Sequence, residues 1–243
     1  MFEVRKDFFT SEFKKWVRDP MMRFMLIYPL LFGLIGRYLL PWAAETADFN
    51  LDHYADLALV ALTLMTPHVY GAIIGFSILD DRDDNILTAV QVTPLSIHQF
   101  LSFRMLMVLG LSFASCVYVM WFSDIGDLSF NAILAISLLA SLGAPMSGLL
   151  INALSSNKIE GFAVMKGTGI ILMFPIFSLF FFDSKELLFS FAPGFWPAKA
   201  ISGVVRGEEL LYLSYNQYFF IGLAYIIILN LIMYRVFLQR ARN

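Results

Sequence analysis

The chain has 243 residues, 59% of them hydrophobic and 15% charged, with 25 Phe, 12 Met and a formal net charge of -2. With a mean hydropathy of +0.72, this composition excludes a water-soluble domain and a basic nucleic-acid binder, and it describes an integral membrane protein. The single cysteine, Cys116, lies in an apolar run and excludes an intrachain disulfide.

The opening segment, MFEVRKDFFTSEFKKWVRDP, is too charged for a secretory leader, and no small-residue cleavage site follows the first apolar run, so that run is expected to stay in the mature protein. Phe9, Phe13, Trp16 and Val17 recur at i, i+4, i+7 and i+8, which gathers them on one helical face, while Lys6, Lys14 and Lys15 fall mostly off it. Residues 1–20 therefore read as an amphipathic helix along the inner membrane surface, the alternative being a solvated leader with chance periodicity. Arg18-Asp19-Pro20 is the expected corner into the membrane, because proline suits a first helical turn.

A hydrocarbon core about 30 Å thick takes roughly 20 apolar residues of helix. Six stretches within 21–243 meet that length: Met21 to Trp42, Leu57 to Leu79, Phe100 to Phe122, Phe130 to Leu154, Phe162 to Phe182 and Tyr218 to Leu238. The runs are continuous and not alternating, which excludes a membrane β-barrel. The fold class is an all-α bundle of six transmembrane helices forming one domain. Thirteen of the 17 Lys and Arg fall on the side of the N-terminus, and only Arg37, Lys185, Lys199 and Arg206 on the other. Both termini are then cytoplasmic, in a multi-pass protein of the cytoplasmic membrane.

The second span carries His68 beside Pro67 near mid-membrane. Such a group either touches cargo or a proton, or is a neutral imidazole hydrogen-bonded across the bundle. Gly71 and Gly75 form a G-x-x-x-G, read as close packing within the bundle before a dimer seam. Asn152 and Lys166, near the inner ends, need only neighbours or snorkelling. The outer connections Ala43 to Asp56 and Ser123 to Ser129 are too short for a receptor domain. Before the last span, LLFSFAPGFWPAKAI is broken by Pro193, Gly194 and Pro197. It suits either a re-entrant pair of half-helices or an aromatic surface loop, with Trp196 and Tyr212 in the interface zone.

Chemical motifs are absent. There is no G-x-x-x-x-G-K-S/T phosphate loop, no H-E-x-x-H, no C-x-x-C and no G-x-S-x-G, and His53, His68 and His98 are expected at different depths. The chain is not expected to hydrolyse ATP, to act as an enzyme, or to hold a metal or cofactor of its own.

One inner connection stands apart. DDRDDNILTAVQVTPLS runs from Asp80 to Ser96 between the second and third spans. Asp83 and Asp84 suit a helix N-terminus, and Thr93-Pro94 ends the helix because the residue before proline disfavours helical dihedrals. Ile86, Leu87 and Val90 gather on one side of this 83–93 helix, and Asp84, Thr88 and Gln91 on the other. Its apolar side calls for a partner or the lipid surface.

Asp81-Arg82-Asp83-Asp84-Asn85-Ile86-Leu87, followed by Val92-Thr93-Pro94-Leu95-Ser96, resembles the segment that links spans two and three in the type-2 class of ATP-binding-cassette exporter permeases. Asp81 and Asp83 stand where that class usually has Glu, and Asn85-Ile86 where it favours Gly-Thr. Six spans with both ends inside, Arg18-Asp19-Pro20 and the Pro-broken outer segment are similar to the same class.

The resemblance implies a permease subunit without catalytic activity that moves a hydrophobic or amphipathic cargo outward. It implies a second permease copy and two separate ATPase subunits that hold the ATP and Mg. It also assigns Asp81, Arg82, Asp83, Asp84, Asn85, Ile86, Leu87, Val90, Thr93 and Pro94 to coupling with the ATPase. Two other readings stand beside it: an intramembrane enzyme acting on lipid, and a non-catalytic scaffold or channel subunit.

Overall fold

The computed structural model describes residues 2–84 and 97–241, and every regular element among them is helical. Six of the helical stretches are long and apolar enough to cross a membrane: Pro20–Ala47, Leu51–Asp83, His98–Ser123, Phe130–Leu154, Lys158–Ser178 and Tyr215–Gln239. The six-span all-α fold expected from the sequence is the fold observed. Asn85, Ile86, Leu87, Val90, Thr93 and Pro94 lie outside the described residues.

Helix α1, Phe2–Arg18, ends at a built corner. The Asp19 carboxylate accepts from the Met21 and Met22 amides at 2.8 and 2.9 Å, and Pro20 opens α2, Pro20–Leu34. Proline lacks an N–H, so Pro41 cannot bond the carbonyl one turn back. The helix widens into a π turn over Ile35–Leu39, with the Leu40 amide reaching Ile35, before α3, Leu40–Ala47. The first outer connection is therefore shorter than Ala43 to Asp56. Alanine-rich residues carry the helix on to a left-handed cap at Asp48, and a 3₁₀ turn over Leu51–Tyr54 leads straight into α4.

Helix α4, Ala55–Asp83, is the central span and is buried along most of its length. It packs on α2, on α5 (Ile97–Ser123), and most closely on α7 (Gly143–Leu154). At Gly71 an added Cβ would meet the Ala144 carbonyl oxygen at 2.7 Å, and at Gly75 it would meet Ile151 at 3.2 Å. The G-x-x-x-G is thus a seam within the bundle. Asn152 fastens it, donating to the Gly75 and Gly148 carbonyls at 3.0 Å each.

The fourth span breaks at Leu142 between α6, Phe130–Ser141, and α7. The fifth breaks at Leu172 between α8, Lys158–Ile171, and α9, Met173–Ser178. Each break lies three residues before a proline, Pro145 or Pro175, whose ring and missing donor interrupt the helix there. The fifth span starts at Lys158, earlier than the expected Phe162. Asn157 accepts from the Glu160 amide while Glu160 accepts from the Ser156 amide, a capping box that starts the helix one turn sooner.

The Pro-broken outer segment enters the bundle. A 3₁₀ turn at Ser184–Phe189 is followed by α10, Phe195–Arg206, which is buried from Phe195 to Gly203 against α4, α6, α9 and the last helix, α11, Tyr215–Ala241. One arm is an α-helix and the other is 3₁₀ and irregular. Trp196 faces the protein interior: it is buried against Gly222 of α11, where an added Cβ would overlap it, and beside Tyr225. Tyr212 remains exposed.

Candidate functional site

The end of the bundle bearing the 85–96 connection, called here the inner end, collects acids and bases from four helices and from the Asp19 corner. Asp80 takes Lys158 of α8 at 3.0 Å, and Lys158 also meets Asp19 at 2.8 Å. Asp81 takes Lys15 of α1 at 2.6 Å and pairs with Arg104 of α5, which pairs in turn with Glu12 of α1. Arg82 donates to the Ser155 carbonyl at 3.2 Å. Asp83 and Asp84 are exposed, and they close the C-terminal end of α4 instead of opening a new helix as expected, because the second span runs on without a break through Asp83. The first three members of the acidic run are therefore engaged within the chain, and the last two face outward beside the 85–96 connection.

Burial works against the charge on Asp19, but the hydrogen bonds from Lys158, Met22 and Met21 outweigh it and hold that carboxyl below the usual carboxylate value. Docking by Glu12, Lys15 and Trp16 also resolves the face of α1. Trp16 is buried in the bundle, while Phe9, Phe13 and Val17 stay about 40% exposed on a separate side.

At mid-depth, where the fourth and fifth spans break, lies a cavity of about 230 Å³. Pro67 and His68 of α4, Gly143 and Ser147 of α7, Thr168 of α8 and the Pro193-Gly194 tip of the outer segment line it, with α11 closing another side. Among the described residues no charged side chain lines it; His68, Ser147 and Thr168 supply the polar groups. His68 is half-buried and bonds the Met165 carbonyl of α8, with its Nε2 against Gly169. It is thus hydrogen-bonded across the bundle, and it also borders the cavity.

The outer end carries a second set of pairs. Arg206 grips Asp56 through two bonds of 2.7 Å, and Ser202 donates to the same carboxylate at 3.0 Å. Lys199 meets Glu186 at 2.6 Å and the Phe181 carbonyl at 2.7 Å, and Tyr218 of α11 donates to Glu186. Burial pushes the Lys199 amine down from its ordinary value, and Glu186 opposes the shift. These bonds tie α10 to α4 and α11, over the outer side of the cavity. Gly194, at its tip, leaves room for only 2.9 Å to Pro175 and 3.0 Å to Leu64 from an added Cβ.

The family model described as "Rv2686c-like: Fluoroquinolones export permease protein Rv2686c-like" matches residues 12–234. The chain belongs to this export permease family. Two Mycobacterium tuberculosis proteins, the fluoroquinolones export permease proteins of strains CDC 1551 / Oshkosh and ATCC 25618 / H37Rv, are each 30% identical to it over 200 residues, which cover 79% of this chain and 79% of theirs. No solved structure matches it. This permease is accordingly a multi-pass membrane protein of a transporter family.

Several residues that organise the permease carry weak sequence signals. Glu12 and Lys15 look like ordinary charges on a surface helix, and Lys158 like one more inner basic residue. Arg104 is the exception: it falls inside the expected third span, and an ionisable group at such a position marks an internal partner.

Proposed function

We propose that this permease is the membrane subunit of an ATP-binding-cassette exporter of the type-2 class. In this reading two copies of the chain, or one copy and a related permease, pair with two ATPase subunits that bind ATP and Mg. The part of the expected 83–93 helix that follows the α4 cap at Asp84 docks into the ATPase, presenting Ile86, Leu87 and Val90, with Thr93-Pro94 ending it. Asp83 and Asp84 flank the docking surface, and Asp81 and Arg82 hold its stem. Cargo occupies the cavity beside His68 and leaves past α10.

The observation that carries the reading is the uncharged cavity at mid-depth in a chain of an export permease family. Its neutral lining favours a hydrophobic or amphipathic cargo, because a desolvated charge there has no partner. The name of the relatives supports an aromatic amphiphile of the fluoroquinolone kind. The breaks at Leu142 and Leu172 and the inserted α10 surround the cavity with helix ends that can shift when the inner end is pushed.

The docking step is tested on the 83–93 helix. Leu87→Asp replaces an apolar side chain with a charge and should greatly reduce recovery of the ATPase subunit in mild detergent. Thr88→Ala, on the opposite side, should leave recovery close to wild type. Equal recovery with the two variants contradicts the docking assignment.

A further inference from the structure

The buried network at the inner end lies apart from the cavity, and none of Glu12, Lys15, Asp81 and Arg104 lines it. Arg104 and Asp81 stand on the two stems of the 85–96 connection, α5 and α4, and each is only 1% exposed. Arg104 pairs with Asp81 and with Glu12 of α1; Lys15 of α1 reaches Asp81 at 2.6 Å and the Ser77 carbonyl at 3.0 Å. Two carboxylates and two cations leave the group neutral. Trp16 covers it, and the Phe100 ring lies with its centroid 4.3 Å from the Arg104 guanidinium carbon.

Apolar replacements for such a network often leave stability unchanged or improve it, so stability alone does not explain its presence. An ion network also fixes one register between the elements it joins, which apolar contacts do less strictly. Here the joined elements are α1 and both stems of the inner connection. On its other side α1 presents Phe9, Phe13 and Val17 to the surroundings, each about 40% exposed.

We propose that Arg104 is a positioning residue that clasps α1 to the two stems, so that α1 and the inner ends of α4 and α5 move as one body during transport. The inference rests on the coupling reading given above and names the residue that transmits the motion. Its consequence is a direct route from the connection to the first span. Helix α1 continues through the Asp19 corner into α2, and Lys158 bonds Asp19 and Asp80 together. A push on the stems therefore reaches the first and fifth spans together.

The test uses the permease reconstituted with its partner ATPase, in a Cys116→Ser background with spin labels at Lys14→Cys and, on the α5 stem, Gln99→Cys, both exposed positions. With the clasp intact, the distance between the labels should be the same without nucleotide and with ATP bound. Glu12→Gln keeps the side-chain volume and leaves Arg104 paired with Asp81. It should broaden the label distances and lower cargo moved per ATP hydrolysed by about tenfold, within the usual range of a coupling free energy. ATPase recovery should stay at the wild-type level, and Glu12→Asp should restore most of the ratio. A wild-type ratio in Glu12→Gln, or a label distance that changes with ATP in the intact clasp, overturns the proposal. The distance measurement on the intact clasp decides even if Glu12→Gln folds poorly. Failure of the unsubstituted permease to recover any ATPase is a separate outcome: it overturns the coupling reading, and the clasp with it.

Discussion

Arg206 meets Asp56 as a fork, Nε on Oδ2 and Nη2 on Oδ1, each at 2.7 Å. The bond fastens the last turn of α10 to the first turn of α4 and holds the inserted segment over the cavity. Asp56 is 1% exposed, so removing the guanidinium leaves a buried carboxylate with only the Ser202 hydroxyl. Arg206→Ala should destabilise the permease by about 3 kcal/mol, the low end for a broken buried pair because Arg206 is partly open to solvent. Arg206→Lys keeps the charge, loses the fork, and should cost less. Thermal unfolding in detergent measures both, and the reverse order contradicts the account.

Gly222 and Trp196 make a second prediction about the same segment. An added Cβ at Gly222 would overlap the indole, so α11 can approach α10 only where it has a glycine. Gly222→Val should destabilise by about 1–3 kcal/mol through overpacking. Trp196→Leu in the same chain keeps the Cβ and Cγ that an added Cβ at Gly222 meets at 2.4 and 2.9 Å, so it should recover little of that loss, measured as a Tm close to that of the single variant.

The Asp19 corner predicts a pH dependence. Its carboxyl is held below the ordinary value of 3.8 in the folded chain, so its contribution to stability is present above 3.8 and is lost as pH falls through the lower folded value. Asp19→Asn should lower Tm by a constant amount from pH 7 down to about pH 5, and the gap should close at more acid pH. A gap that widens with acid would show that Lys158 and the two amides do not favour the charged form.

The path of the chain through the membrane was legible because apolar runs of span length leave little choice in lipid. The Asp19-Pro20 corner and the Gly71–Gly75 seam were legible for local reasons: a cap and a first-turn proline in one case, two missing side chains on one face in the other. The capping box at Asn157 and Glu160 was equally local and places the start of the fifth span. What was not legible is pairing at a distance. Nothing near Glu12 in sequence points to Arg104, 92 positions away, and nothing near Asp56 points to Arg206, 150 away. Trp196 looked like a membrane-interface anchor because its burial depends on Gly222, a residue of another helix. His68 stood out by its chemistry, whereas the cavity beside it exists only once the fourth and fifth spans break at the same level.

Orientation is checked by single cysteines in a Cys116→Ser background. Cysteines at Asp48 and Asp127 should react with an impermeant maleimide in intact cells, and cysteines at Asp84 and Ser156 should react only after lysis. All four positions are exposed, so access depends on the side of the membrane and not on burial. Labelling of Asp84→Cys in intact cells would place the inner connection outside and remove the ATPase from its reach.

The most direct test of ATP-driven export is uptake of a fluoroquinolone by inside-out membrane vesicles containing the permease and its partner ATPase. The account predicts accumulation that requires ATP and the ATPase subunit. It also predicts that Met146→Trp, which fills the cavity from α7, suppresses accumulation while ATPase recovery is unchanged. Accumulation that is independent of ATP, or that is unaffected by filling the cavity, would contradict it.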